Sequence, residues 1–227
     1  AVAANGTGST TLKARYYAVL RKPLELIETL RFSPSSGFVR RDLHLARMQR
    51  SAEMLGILFS VQDGLGALEA AVENAPASLR VRLSLNEAGV FHCATAPAPA
   101  DASSWSYKIS PIRISSADAL LRHKTNWREV CETFQSGCED CDEVLFLNEH
   151  GHITEGTRTN VFAKVSGQLC TRPLSDGLLG GCLREEMIAL GQCVERALTV
   201  DDLEAAAAVY LGNSLRGLIV ARKATAD

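Results

Sequence analysis

From Leu24 to Phe32 the chain reads LELIETLRF, alternating apolar and polar side chains with the period of two that a half-buried strand requires. SPSSG follows with turn chemistry, so the opening is expected to be strand, turn, strand. The pattern then changes period. Leu43, Ala46, Met48, Ala52 and Leu55 recur at helical spacing behind Asp42, a good N-cap, and Gly56 supplies a stop. A shorter helix is expected over 64–74. LRVRLSL at 79–85 returns to alternation, placing Arg80 and Arg82 on one face and Val81, Leu83 and Leu85 on the other. APAPADASSW at 96–105 breaks the periodicity and marks the internal boundary.

Beyond that break, strands are expected at 107–114, 143–148, 160–165 and 206–212, interleaved with helices at 117–121, 126–134 and 181–192. Strands and helices mix without regular βαβ alternation, so the fold class is α+β rather than a doubly wound parallel sheet. The expected organisation is a disordered or linker segment at 1–10, a small α+β lobe at 11–99, a linker at 100–105 and a larger lobe at 106–227. GLLGG at 177–181 feeds a helix start, where unpaired backbone N–H groups and the positive end of the helix dipole suit a phosphate.

Composition narrows the function classes. With 227 residues, 46% hydrophobic, 22% charged and a net charge of −2, the chain reads as an ordinary globular protein. It has no basic run to attract nucleic acid and no apolar stretch of about 18 residues to span a membrane. A cytoplasmic location is the default expectation. The seven cysteines are scattered and expected to be reduced, with Cys138 and Cys141 a lone CxxC. His150 and His152 read as turn residues, and no metal site is expected.

The chemistry lies in HKTNWR at 123–128 read together with NEHGHITEGTRTNVF at 148–162. A lysine amine is a useful nucleophile only when deprotonated, and Arg122, His123 and Arg128 supply cationic or polar neighbours for Lys124. Adding ETLRF at 28–32, DLHLARMQRSAEMLG at 42–56, GLLGGCLREEMI at 177–188 and GNSLRG at 212–217 makes an ordered series that resembles the class IV aminotransferase family over about 24–220. The family comprises branched-chain and D-amino acid aminotransferases and aminodeoxychorismate lyase.

The resemblance implies a two-domain, D-amino acid aminotransferase-like architecture (fold type IV) using pyridoxal 5'-phosphate. It also implies a homodimer, with the site between the lobes and near the partner subunit. Lys124 would hold the cofactor and move the substrate's proton, with Glu155 pairing with the pyridine nitrogen and Arg47 binding the phosphate. Gly181, Cys182 and Leu183 match the phosphate loop, although Leu183 replaces the common threonine and Gly180 the usual proline. Asn213 and Ser214 match the segment closing over the phosphate and the substrate carboxylate, and Asn160 would hold the turn after Glu155. Thr29 falls where the lyases keep a threonine near the cofactor, and Arg82 and Arg216 are candidates for substrate carboxylates.

Within the family, GNSLRG and Arg128, four residues after Lys124, resemble the aminodeoxychorismate lyases. TTLKARYY at 10–17 resembles the end of the synthase component in synthase–lyase fusions. The expected reaction converts aminodeoxychorismate to 4-aminobenzoate and pyruvate, with that synthase component as a possible partner. The alternatives are an aminotransferase of branched-chain or D-amino acid type, and a non-catalytic domain of such a fusion, which the Leu183 and Trp127 departures permit.

Overall fold

A computed structural model describes residues 23–127 and 140–225. Expectations for 1–10, for TTLKARYY, for Arg128 and for most of the 126–134 helix lie outside the described residues. The chain divides into two compact units. The first comprises the described parts of Ala1–Pro99 and His123–Arg128, and the second those of Ala100–Arg122 and Glu129–Asp227. The sequence boundary near 100 leaves His123–Arg128 in the second lobe, whereas the structure returns that segment to the first.

In the first unit, β1 (Glu25–Ser33), β2 (Gly37–Phe38), β3 (Leu79–Asn86) and β4 (Phe91–Pro97) form an antiparallel sheet in the order β2-β1-β3-β4. Leu26 and Leu30 of β1 and Val81, Leu83 and Leu85 of β3 are buried, each such side chain contributing about 1.5–3 kcal/mol on leaving water. Arg80 and Arg82 alternate to the other face and are exposed, as the period of two predicts. β4 went unread because its CATAP end merges into the Pro- and Ala-rich break.

Two helices follow the apolar pattern: α1 (Arg41–Leu55) and α2 (Val61–Val72). Gly56 caps α1 in the left-handed conformation, its N–H reaching the carbonyls of Ala52 and Glu53. Asp42 is not the N-cap. Arg40 takes that position at φ 55, without a side-chain cap, and Asp42 lies in the first turn, where its charge meets the helix dipole. Ser60 caps α2, accepting from the Asp63 N–H.

The segment around Lys124 adds to the free edge at the start of β1. Leu26 and Thr125 form an antiparallel bridge. The Ile27 N–H donates to the Lys124 carbonyl at 2.8 Å, and Asn126 N–H to the Glu25 carbonyl at 3.0 Å. The Asn126 carboxamide completes the clamp, accepting from Glu25 N–H and donating to the Pro23 carbonyl, both at 2.9 Å.

The second unit holds β5 (Ser104–Ile114), β6 (Glu143–Asn148), β7 (Ile153–Gly156), β8 (Asn160–Val165), β9 (Gln168–Thr171), β10 (Val194–Glu195), β11 (Ala208–Asn213) and β12 (Gly217–Lys223). They make one mixed sheet in the order β10-β9-β8-β11-β12-β5-β6-β7. The β5–β6 and β12–β5 pairs are parallel, while β8 is antiparallel to both β9 and β11. All six residues of β6 and all four of β7 are buried, which explains why β6 reads as a continuous apolar run rather than as alternation. Helices α3 (Cys182–Ala189) and α4 (Val200–Ala205) complete this unit. The helix expected at 117–121 is a 3-10 turn at Ala119–Arg122.

Among the described residues no helix is long and apolar enough to cross a membrane. The expectation of reduced thiols is corrected at one position. Cys93, Cys170, Cys182 and Cys193 are thiols outside any disulfide, but Cys141 is disulfide-bonded. Redox state follows the geometry that the fold imposes on a thiol pair, which spacing along the chain does not specify.

Candidate functional site

In the first unit, the buried face of β1 continues Leu24, Leu26, Leu30 with a carboxylate at Glu28, only 1% exposed. His44 and Arg47, three apart on α1, share one helix face and converge on it. Arg47 forks onto Glu28, Nε to Oε1 at 2.8 Å and Nη2 to Oε2 at 2.5 Å. His44 Nδ1 lies 2.6 Å from Oε2. Burial alone would push the Glu28 carboxyl up, but the Arg47 charge and the His44 and Arg47 hydrogen bonds outweigh it and hold Glu28 at about 2. Burial lowers His44, and the charges of Arg47 and Lys124 add to that against the opposing pull of Glu28. Lys124 thus lies within electrostatic reach of this cluster, and its neighbour His123 meets Ser51 Oγ of α1 at 2.9 Å.

Neither Glu28 nor His44 was singled out from the sequence. The available signal is an acid in register with three leucines on one strand face, opposite an H-x-x-R pair on the next helix. Thr29 projects to the other face of β1 and stands directly across from Arg82 of β3. Arg31 stands across from Arg80 in the same way.

In the second unit, Glu155 is buried near the end of β7, and Asn160 opens β8. Asn160 Nδ2 donates to the Leu179 carbonyl at 3.0 Å. A Cβ at Gly181 would lie 1.9 Å from Asn160 Oδ1, so only glycine permits this approach at the start of α3. Gly181 is the N-cap of α3 and offers no side-chain cap, leaving the first-turn N–H groups of α3 without one. Leu183 turns away into an apolar cluster with Phe162, Met187 and Cys193, so its contribution to an anion is confined to the backbone.

Asn160 therefore holds the glycine loop, and a different residue holds the turn after Glu155. Glu143 of β6, 1% exposed, accepts from the N–H of Thr157 at 2.8 Å and of Arg158 at 3.3 Å, and from the hydroxyl of Thr159 at 2.8 Å. The Thr157 hydroxyl donates to it as well.

The Arg158 carbonyl in turn accepts from Asn213 Nδ2 at 3.2 Å. Asn213 Oδ1 closes its own turn by accepting from the N–H groups of Leu215 and Arg216. Ser214 is buried beside it. Arg216 donates to the Ala100 carbonyl at 3.2 Å, and its guanidinium lies 5.2 Å from the Trp105 ring centroid, with that of Arg158 at 4.7 Å. Behind Glu155, the fully buried Arg172 donates to the Thr154 carbonyl and to Asp176 Oδ2 at 2.6 Å. Burial lowers the Arg172 guanidinium to about 10, against the pull of Asp176 and of Glu155.

Comparison with known proteins agrees in sequence and in fold. The family model "Amino-transferase class IV" matches residues 25–224. The crystal structure of a "Putative amino-acid aminotransferase" from Mesorhizobium loti is 40% identical, with a TM-score of 0.84, covering 88% of this chain and 99% of that one. A "Putative 4-amino-4-deoxychorismate lyase" from Legionella pneumophila is 25% identical, with a TM-score of 0.79, covering 88% and 82%. Among curated sequences, a "Probable branched-chain-amino-acid aminotransferase" from Thermotoga maritima is 26% identical over 223 residues, 91% of this chain and 80% of its own length. A match over nearly the whole described chain, together with the buried Glu155 and the glycine-started helix, makes this chain a member of the class IV aminotransferases, enzymes that work with pyridoxal phosphate.

Proposed function

We propose that the chain is a 4-amino-4-deoxychorismate lyase that forms 4-aminobenzoate and pyruvate. The observation that carries this reading is the exposed face of the first sheet. There Arg82 stands opposite Thr29, and Arg31 opposite Arg80. Arg80 and Arg82 are exposed on one face of β3, where their guanidiniums can meet an anionic ligand. Aminodeoxychorismate carries two carboxylates where a branched-chain amino acid carries one, so a surface with several arginines favours the former. The GNSLRG turn supports the same reading, with Arg216 and Arg158 both placed on Trp105.

The residues present fit the cofactor. Gly181 opens α3 without a side-chain cap and is held against Asn160, and Glu155 offers a buried carboxylate beside a buried arginine. Lys124 Nζ would hold pyridoxal phosphate, Arg47 and the α3 start its phosphate, and Glu155 would accept from its pyridine N–H. When bound, the cofactor supplies an electron sink for the pair left as the substrate loses its C4 proton. Lys124 Nζ takes that proton. The electron pair forms the ring double bond as the C3–O bond breaks, and the released enolate becomes pyruvate on gaining a proton at its methylene carbon. Arg82 and Arg216 would orient the carboxylates, and Thr29 the transferred proton. A homodimer, association with a synthase component and a cytoplasmic location belong to this proposal as well.

A second reading, an aminotransferase using the same lysine, is favoured by the name of the 40% identical relative. One experiment separates them. Cofactor-loaded protein is mixed with aminodeoxychorismate in the absence of any keto acid, with Lys124→Ala as control. Equal amounts of 4-aminobenzoate and pyruvate, absent from the control, are the expected result. Absence of both products, together with a cofactor band shifted by amino acids, would replace the lyase with the aminotransferase.

A further inference from the structure

We propose that Glu143 is the positioning residue of the second unit's cofactor-binding segments, its carboxylate setting the turn that ties Glu155 to Asn160, the glycine loop and the Asn213 turn. It touches none of the reacting groups. Its effect runs through the backbone.

The geometry is specific to a carboxylate. Five donors converge on its two oxygens: the N–H groups of Val144, Thr157 and Arg158 and the hydroxyls of Thr157 and Thr159. Both oxygens are used, Oε1 by Val144 and Thr157, and Oε2 by Arg158 and Thr159. An amide in the same place turns an NH₂ toward either the Arg158 N–H or those of Val144 and Thr157; a threonine hydroxyl can rotate to accept from it, but a backbone N–H cannot, so even an isosteric glutamine leaves a backbone donor facing a donor. The fit is also tight. A Cβ at Gly156 would stand 2.6 Å from Glu143 Cδ and from Thr159 Oγ1, so Gly156, next to Glu155, is pressed against this carboxylate.

From the pinned turn three connections run outward within the unit. Gly156 N–H donates to the Thr159 carbonyl at 2.8 Å, closing the turn between β7 and β8 and fixing Glu155 at one end and Asn160 at the other. Asn160 then holds the Leu179 carbonyl and packs on Gly181. The Arg158 carbonyl holds Asn213. Without Glu143 the turn has lost the acceptor of two backbone N–H groups and two hydroxyls, and all three segments lose their common reference.

The test compares Glu143→Gln with Leu203→Ala, a cavity in the apolar core of the same unit, at matched loss of melting temperature. Amide hydrogen exchange is followed in the cofactor-free protein, and pyridoxal phosphate affinity by titration. In Glu143→Gln whichever of the Thr157 and Arg158 amides faces the NH₂ is expected to lose protection and Kd to rise at least about tenfold, whereas Leu203→Ala leaves protection and Kd near wild type. Thr159→Val, which removes one donor, is expected to raise Kd about threefold. Affinity for Glu143→Gln within about twofold of wild type would overturn the proposal, as would an equal loss in Leu203→Ala. If Glu143→Gln does not fold, an unchanged Kd in Thr159→Val is the overturning result. The proposal rests on the family's cofactor and not on the lyase reading. Failure of the wild type to bind pyridoxal phosphate would instead refute the cofactor assignment.

Discussion

The two units each bury a carboxylate almost completely, and they neutralise it in opposite ways. Glu28 of the first faces a guanidinium and an imidazole, whereas Glu143 of the second is held by backbone N–H groups and threonine hydroxyls. The first arrangement is an ion pair whose members lose much if separated, because a lone charge would remain out of water. The second is a nest of neutral dipoles, which fixes position more than it balances charge. The first unit accordingly provides an electrostatic setting beside Lys124, and the second a fixed backbone shape around Glu155 and Gly181.

The largest effect expected from breaking this contrast is in the first unit. Arg47→Ala strands Glu28 in the core and should cost about 3–5 kcal/mol in urea unfolding, well above a surface arginine such as Arg82→Ala. Next comes pH. Glu28 falls from its ordinary 4.5 to about 2 on folding, and burial lowers His44 from 6.5. In both cases the unfolded chain binds more protons, so stability falls on acidification, through His44 below pH 6.5 and through Glu28 between 4.5 and 2. The Glu28 share is on the order of a few kcal/mol and should largely disappear in Arg47→Ala. Melting curves across pH 7 to 2 for the two proteins check this.

The second unit should answer to shape instead. Gly181→Ala pushes a methyl onto Asn160 Oδ1, and pyridoxal phosphate affinity is expected to fall about tenfold with little pH dependence. The smallest effect tests the neighbour. A Cβ at Gly180 would meet the Leu174 methyls at 3.4 and 3.9 Å, ordinary contact distances, and its φ is not positive. Gly180→Ala should therefore stabilise by about 0.4–1 kcal/mol through the unfolded chain, with cofactor affinity unchanged. A loss of affinity there would mean that the loop's looseness is itself used.

Legibility differed between elements for physical reasons. β1, β3 and α1 bury one face against a neighbour and carry the period that reports it. β7 and β9 are only four residues each, and β7 is buried throughout, so no alternation marks them. Lys124, Glu155, Arg47 and Gly181 stand out as candidates because they sit in motifs whose order resembles a family. Glu143 lies in EVLFLN, where an acid at a strand start looks like a solvated end. Arg172 looks like a surface residue before a proline, although it is fully buried.

The sequence by itself determined the α+β class, the period of the main elements and the family, because each rests on neighbours along the chain or on motif order. Only the tertiary structure decided that residues 123–127 pair with β1, about a hundred positions earlier. It alone decided which acids are buried and which groups satisfy them. Those outcomes depend on contacts distant in sequence, such as Glu25 with Asn126 and Arg158 with Asn213, and on close approaches that leave no room for a Cβ. Local periodicity carries no record of either.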